Sequence, residues 1–471
     1  MKRMSEIPAE ILAEMTPAVR ALFESMLLQM AAMQAEIEEL KTQVKRLTPQ
    51  NSSLPPSTQH PHARPTPKPK LKKKRGGQKG HRQVVRPLVS VERCTEVIPL
   101  VPDTCRRCGE GLTGKDPEPI RHQVWELPKI EPNIIEYQLH RLMCRRCGTR
   151  TCAALLCGVS TGQFGAKLLA FTGLLMGHFR QSKRRAALFL TDLLNMPCCP
   201  ASTVKMQNRV SEALEQPYEE LKSQLAHEDQ LFMDESPTKE ANQKAWLWTA
   251  VASTYAVFAI FASRAATALP KLLGDQFKGI INCDRAKMYW RAKRLQWCWA
   301  HIKRDFQSLI DHHDHQVKRL GHDLKRPVEI MFIHWHKYKS GSISWEAFQS
   351  EMKPIRNEVD SLLLRGVFSG NKRLIGMCNE LHNHRAWLWT FTEVQGIEPT
   401  NNTAERALRP AVIYRKLSFG TQSEKGSRFL ERILTVSETC RLQKRSVYQW
   451  LTAAVEASLN GQSAPSLVTD P

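Results

Sequence analysis

Apolar side chains at Val19, Phe23, Met26, Met30, Met33, Ile37, Leu40, Val44 and Leu47 recur in alternating four- and three-residue steps, the spacing of a coiled-coil seam. With Ile37 and Val44 at a and Leu40 and Leu47 at d, the pattern suits a parallel dimer. Glu36 at g then meets Lys41 at e of the second chain. An amphipathic helix packed on its own domain is the other reading. Pro49 ends the helix. Further along, the apolar runs 231–233, 245–252, 256–261 and 279–283 predict strands. Helical patterning covers 166–179 and 184–194, and Ser202 is placed to cap a third helix holding Val204, Val210 and Leu214. Residues 291–400, rich in His, Trp and Lys, predict a mainly helical insertion. A helix begins at Asn402, and 426–459 adds a further helical stretch.

Charge adds a partner to this outline. Lys and Arg number 68 against 46 Asp and Glu, a formal charge of +22 over 471 residues, which argues for a polyanion and first for nucleic acid. The uncharged stretch 245–263 is long enough to span a bilayer, but Thr249, Ser253, Thr254 and Tyr255 interrupt it, so a buried hairpin is the expectation and a membrane is not. Residues 48–90 carry no acid and many Pro, Lys and Arg. That composition predicts a linker whose Lys72, Lys73, Lys74, Arg75, Lys79 and Arg82 supply phosphate contacts, or merely solvate the chain. The N-terminus has no apolar signal core, and the thirteen cysteines are unevenly spaced. A reducing cytoplasm is therefore expected, with the protein on the nucleoid when bound to DNA.

The expected divisions are a coiled-coil helix (1–48), basic linker (49–92), zinc-binding domain (93–160) and helical region (161–227). After them come the first part of an α/β core (228–290), the helical insertion (291–400), the rest of the core (401–460) and a disordered tail (461–471). Lys205, Gln207 and Arg209 on the third helix fit a helix-turn-helix or plain helical packing equally.

Two candidate metal sites stand out. Cys105-Arg106-Arg107-Cys108-Gly109 and Cys144-Arg145-Arg146-Cys147-Gly148 are two C-x₂-C knuckles, whose thiolates suit tetrahedral Zn²⁺. Between them, 122–127 and 134–139 alternate like the strands of a zinc ribbon. Cys94, Cys152 and Cys157 lie near the knuckles and leave ligand exchange or a distorted site open, while Cys198, Cys199, Cys283, Cys298, Cys378 and Cys440 read as buried small apolar residues. The second site joins Asp234 and Asp284, each at the carboxyl end of a predicted strand, to Glu405 in the cationic stretch 401–416. Three carboxylates form a hard oxygen site for Mg²⁺ or Mn²⁺. His301, between Trp299 and Lys303, suits contact with a scissile phosphate, orientation of a water, or simple packing. Arg406, Arg409, Arg415 and Lys416 are candidate DNA clamps, an exposed helix face being the alternative. Trp246, Trp248, Trp387 and Trp389 read as core.

Several motifs also occur in a characteristic order: Gln50-Asn51-Ser52-Ser53-Leu54-Pro55-Pro56-Ser57, Gly76-Gly77-Gln78-Lys79-Gly80-His81, the doubled Cys-Arg-Arg-Cys-Gly, Met233-Asp234-Glu235-Ser236-Pro237, Cys298-Trp299-Ala300-His301 and Asn402-Thr403-Ala404-Glu405-Arg406. In this order they resemble the insertion-sequence-66 transposases. The resemblance implies a DDE transposase with a ribonuclease-H-like core interrupted near 291–400, and a metal-binding triad at Asp234, Asp284 and Glu405. It further implies double-stranded DNA as partner, both element ends and target, and helper proteins from the same element; the coiled coil is expected to make the protein a homodimer. Arg285 departs from the small residue usual after the second Asp, and Ser236 replaces the commoner Thr. A zinc-dependent regulator without catalysis, and a nuclease that cuts without joining, are the alternatives.

Overall fold

The protein was analysed as a computed structural model, which describes residues 16–46 and 86–468; the linker cations Lys72, Lys73, Lys74, Arg75, Lys79 and Arg82 lie outside them. The chain divides into two compact units, one of residues 61–133 and one formed by 1–60 with 134–471. That boundary falls inside the stretch expected to form one zinc-binding domain.

The periodic N-terminal segment is a single helix, α1 (Pro17–Arg46). Among the described residues its seam finds no cover: Phe23 is 37% exposed and Met33 55%; Leu47 lies outside them. In the smaller unit, 122–127 forms no strand. Val124 and Leu127 remain exposed, because alternation organises a ladder only where one face has something to pack on. In the larger unit 134–139 likewise pairs with nothing. The strands found there are β1 (Arg141–Met143) and β2 (Arg150–Cys152), antiparallel across the second knuckle.

Four helices follow: α2 (Ala166–Met176), α3 (Lys183–Leu194), α4 (Pro200–Ala213) and α5 (Glu215–Gln224). Helix α4 starts at Pro200, with Cys199 at the N-cap. Ser202 is therefore inside the helix, since proline's fixed φ favours the first helical position. Lys205 and Arg209 share the exposed face of α4, while Gln207 is buried and unable to read DNA. Cys199 is exposed and Cys198 half-buried, unlike the buried Cys283, Cys298, Cys378 and Cys440.

The main sheet combines β3 (Gln230–Glu240), β4 (Gln243–Val251), β5 (Ala256–Phe261), β6 (Ile280–Cys283) and β7 (Leu295–Trp297) in the order β5-β4-β3-β6-β7. The first three are antiparallel; β6 and β7 run parallel to β3. A short helix α6 (Ala268–Leu273) makes the crossover to β6. The stretch 245–263 is the β4–β5 hairpin. Strand β7 falls where helix was expected; its three residues are too few to show a period.

Beyond β7 come α7 (Trp299–Ile310), α8 (His315–Lys339), α9 (Trp345–Val367), α10 (Lys372–Asn383) and α11 (Ala386–Glu393). They dock on the sheet through buried Gln296. Its amide donates to Leu388 O at 3.2 Å and its carbonyl accepts from Phe391 N at 2.8 Å. Trp248 and Trp389 are fully buried, with Trp246 and Trp387 at the margin of the same core.

The chain then returns to the sheet as α12 (Asn402–Ser418) and α13 (Glu424–Leu442), while α14 (Val447–Leu459) packs on α2 and α4. Ala407, Leu408 and Ala411 of α12 pack with Leu430 and Leu434 of α13 against Leu247 and Phe258. Helix α13 also protects the sheet edge. Ala256, Phe258 and Ile260 of β5 donate their outward amides to Thr439, Thr435 and Glu431 respectively. Four helical residues rise about 6 Å and two strand residues about 6.7 Å, so the two repeats stay in step. The tail does not hang free as expected: Leu467 is 1% exposed, and its carbonyl accepts from Gln443 at 2.7 Å. Among the described residues, no helix is long and apolar enough to cross a membrane.

Candidate active site

Parallel pairing of β3 with β6 sets Phe232 beside Asn282, and two residues on each strand carries an aspartate, Asp234 and Asp284. Strand β6 stops at Cys283. Strand β3 does not end at Asp234 as expected but continues to Glu240 along β4. The site therefore opens where β3 loses its parallel neighbour.

Hydrogen bonds bring Glu405 to the same place. Asn282 Nδ2 donates to Glu398 O at 2.7 Å, and Trp299 N to Pro399 O at 2.9 Å. Asn401 then bridges two elements: its Nδ2 donates to Met233 O at 2.6 Å and its backbone N to Cys298 Sγ at 3.1 Å. Cys298 N closes the circuit on Cys283 O at 2.9 Å. The residues before all three carboxylates are thus fastened to one another, and Glu405, in the first turn of α12, is carried in beside the aspartates. Asn401→Ala removes the bond to Met233, and we expect a loss of about 1–3 kcal/mol in denaturant unfolding, together with weaker binding of divalent ions.

The carboxylates are near enough to influence one another electrostatically. Burial raises the Asp234 carboxyl well above the usual carboxylate range, and the negative charges of Glu235, Asp284 and Glu405 raise it further. Asp284 is also raised by burial, against the amide of Ala286 and the cations Arg264, Arg285 and Arg304. Glu405 is raised by burial and by Asp284, against Arg304 and Arg409. All three keep partial access to solvent. Oxygen donors with unbalanced negative charge are the kind a hard divalent cation takes. Among the described residues, however, the three carboxylates are not brought within 4.8 Å of one another, whereas Cys298, His301 and Glu405 are.

Glu235, adjacent to Asp234, points away into the core. It is 5% exposed, held by Arg264 Nε at 2.8 Å and by the Tyr289 hydroxyl. Burial, then the charge of Asp284, pushes it up to about 7. Sequence reasoning passed it over, although two successive acids in a strand must face opposite ways. Arg285 causes no obstruction: it turns outward to Asp305 at 2.8 Å and Glu380 at 3.0 Å, linking the Asp284 loop to α7 and α10.

His301 lies among these groups, 7% exposed, with Nε2 3.6 Å from Glu405 Oε1. Burial, then Arg304 and Arg285, lowers it to about 3. It is therefore neutral at neutral pH, and the contact is not an ion pair. Arg304 approaches Glu405 at 3.7 Å. Arg406, Arg409 and Lys416 stand exposed on α12, whereas Arg415 is half-buried and donates to Pro237 O.

The two knuckles share one internal geometry. Cys105 N donates to Glu110 O at 2.8 Å and Gly109 N to Cys105 O at 2.8 Å; Cys144 N donates to Thr149 O and Gly148 N to Cys144 O, both at 2.9 Å. The glycines sit at φ +75° and +71°, where a side chain would be strained. Backbone amides of Arg107 and Cys108 lower the Cys105 thiol, and the Thr149 hydroxyl lowers that of Cys147.

The sequence that forms this sheet and the helices around it matches a described family. Residues 161–428 match the model of the Transposase IS66 family. That is more than half of the chain, and the chain belongs to this family. Residues 4–87 match a family of unknown function, DUF6444. The uncharacterized protein y4qI of Sinorhizobium fredii (strain NBRC 101917 / NGR234) is 24% identical over 276 residues, 51% of this chain and 49% of that protein. The chain thus spans about half the length of that curated relative.

Proposed function

We propose that this chain is a DDE transposase that cuts DNA at the ends of its element and joins them to a target. The core is read as ribonuclease-H-like, on the sheet order β5-β4-β3-β6-β7 with α12 returning beside β3. The observation that supports the reading is electrostatic: Asp234, Asp284 and Glu405 are each raised by burial, Asp234 also by Asp284 and Glu405, and Glu405 also by Asp284. These residues would hold Mg²⁺ or Mn²⁺. Such ions, when bound, polarise phosphate oxygens and balance the charge that develops during displacement at phosphorus.

The chain's own residues do the positioning. Asn401 and Cys298 fix the three carboxylates against one another before any substrate arrives, which reduces reorganisation during reaction. Arg304 keeps Glu405 favourably paired, and the exposed Arg406, Arg409 and Lys416 run away from the site as phosphate contacts. Neutral His301 offers a lone pair or an N–H without adding charge. In the first step a water oxygen bonds to phosphorus and the strand's 3′-oxygen leaves as a hydroxyl. In the second, that hydroxyl loses its proton and bonds to a target phosphorus, the target strand's 3′-oxygen leaves and takes up a proton, and no further reagent is consumed. Dimerisation through α1, and structural zinc on Cys105, Cys108, Cys144 and Cys147, belong to the same proposal; the zinc rests on C-x₂-C spacing and the paired turns. Metal analysis of purified protein is expected to find zinc, reduced in Cys105→Ser and in Cys144→Ser.

The deciding experiment incubates the full chain with Mg²⁺ and labelled element-end DNA. Cutting followed by joining supports the proposal. Cutting alone would make the protein a nuclease, and binding alone a regulator.

A further inference from the structure

Against the carboxylate cluster lies a donor set of different chemistry. Cys298 at the N-cap of α7, His301 one turn on, and Glu405 of α12 bring a sulfur, an imidazole nitrogen and a carboxylate oxygen within 4.8 Å of one another. Cys298 is 1% exposed and His301 7%. The Nδ1 atom of His301 is buried without a hydrogen-bond partner, and Nε2 stands beyond hydrogen-bonding range of Glu405. A hard cation on the three carboxylates uses neither the thiol nor the imidazole. A thiolate, an imidazole and a carboxylate are instead the ligands of zinc and its softer relatives, which take three protein donors and leave a fourth position open.

We propose that Cys298, His301 and Glu405 form a binding site for Zn²⁺ or a similar thiophilic divalent ion, and that this ion withdraws Glu405 from the catalytic carboxylates. The first half stands on geometry alone; the second rests on the assignment of Glu405 to the Mg²⁺ or Mn²⁺ set. Binding forms a metal–sulfur bond as the Cys298 thiol gives its proton to solvent. His301 supplies a lone pair with no proton to lose, Glu405 supplies an oxygen, and nothing is oxidised or reduced. Burial holds the thiol up at about 11, so the ion must displace that proton, as thiol-binding metals do. The amide of Asn401, already directed at Cys298 Sγ at 3.1 Å, would stabilise the resulting thiolate. The sharing of Glu405 makes the two ions rivals: the soft site competes for the residue that closes the hard one.

The test is cadmium uptake by the full-length protein, followed by the ultraviolet thiolate-to-cadmium absorption and by metal analysis. Wild type should take up one ion per chain more than Cys298→Ser or His301→Gln, with the knuckle cysteines intact in all three. Serine can still accept from Asn401, and circular dichroism melting identifies any variant that fails to fold. Equal uptake by wild type and both folded variants would overturn the site. The second half is read with Mn²⁺ bound to the protein: Zn²⁺ should release Mn²⁺ from wild type, measured by water-proton relaxation, and not from Cys298→Ser. Equal release from both would overturn the rivalry. Neither readout needs catalysis, so a protein that binds cadmium as described yet never cuts DNA would refute the proposed function and leave this site standing.

Discussion

Asp284→Asn is expected to slow strand cleavage by on the order of 10³-fold or more while leaving affinity for element-end DNA unchanged. The side chain keeps its shape, and an amide oxygen can still accept from Ala286, as Asp284 Oδ1 does at 2.8 Å. What disappears is the negative charge. Gel-shift and single-turnover cleavage assays on the same preparation separate the two effects, and joining at the wild-type rate would end the assignment. The substitution should also stabilise the metal-free fold. Burial raises the Asp284 carboxyl above its unfolded value, so folding favours the protonated form. The associated stability is complete below the unfolded pKa and is lost as pH rises through the folded one. Metal-free wild type should therefore melt higher at mildly acidic pH than at neutral pH. Asp284→Asn should flatten that decline and melt above wild type at pH 7, and added Mg²⁺ should raise only the wild type.

Ile37→Asp combined with Leu40→Asp is expected to convert a dimer into a monomer. In α1 these residues are 50% and 51% exposed, and burying such a side chain fully contributes about 1.5–3 kcal/mol. Two of them from each chain, in adjacent a and d layers, are a large part of what a short zipper can supply. Lys41 pairs within the chain with Glu38 at 2.7 Å, an exposed contact that adds little. Analytical ultracentrifugation decides the matter: the wild type should sediment as a dimer and the variant as a monomer. A monomeric wild type at micromolar concentration would refute the zipper.

Much of the core was legible because both faces of its sheet are covered. Strands buried on two sides read as continuous apolar runs, and β5 falls where its run predicts. The trio Asp234, Asp284 and Glu405 was named from chemistry and family likeness rather than from spacing, and its role stays part of the proposal. What escaped was tertiary. Leu295-Gln296-Trp297 holds a polar residue whose bonds go to α11, a relation no local window contains. The role of Glu235 depends on Arg264 and Tyr289, both remote in the chain. Alternation at 122–127 and 134–139 misled because period two marks a strand only when a partner face exists. Gln207 fitted a reading helix or plain packing equally, and its burial on the inner face of α4 favours packing.

On the proposed function, the order of the elements also governs when the protein becomes able to cut. Ribosomes deliver Asp234 and Asp284 early, then all of α7 to α11, and only afterwards Asn401 and Glu405. A chain still being translated, or one truncated inside the insertion, owns both aspartates yet lacks the clasp that completes the set. By this reading, the host chromosome faces a cutting enzyme only once synthesis has passed the last carboxylate and α12 has docked.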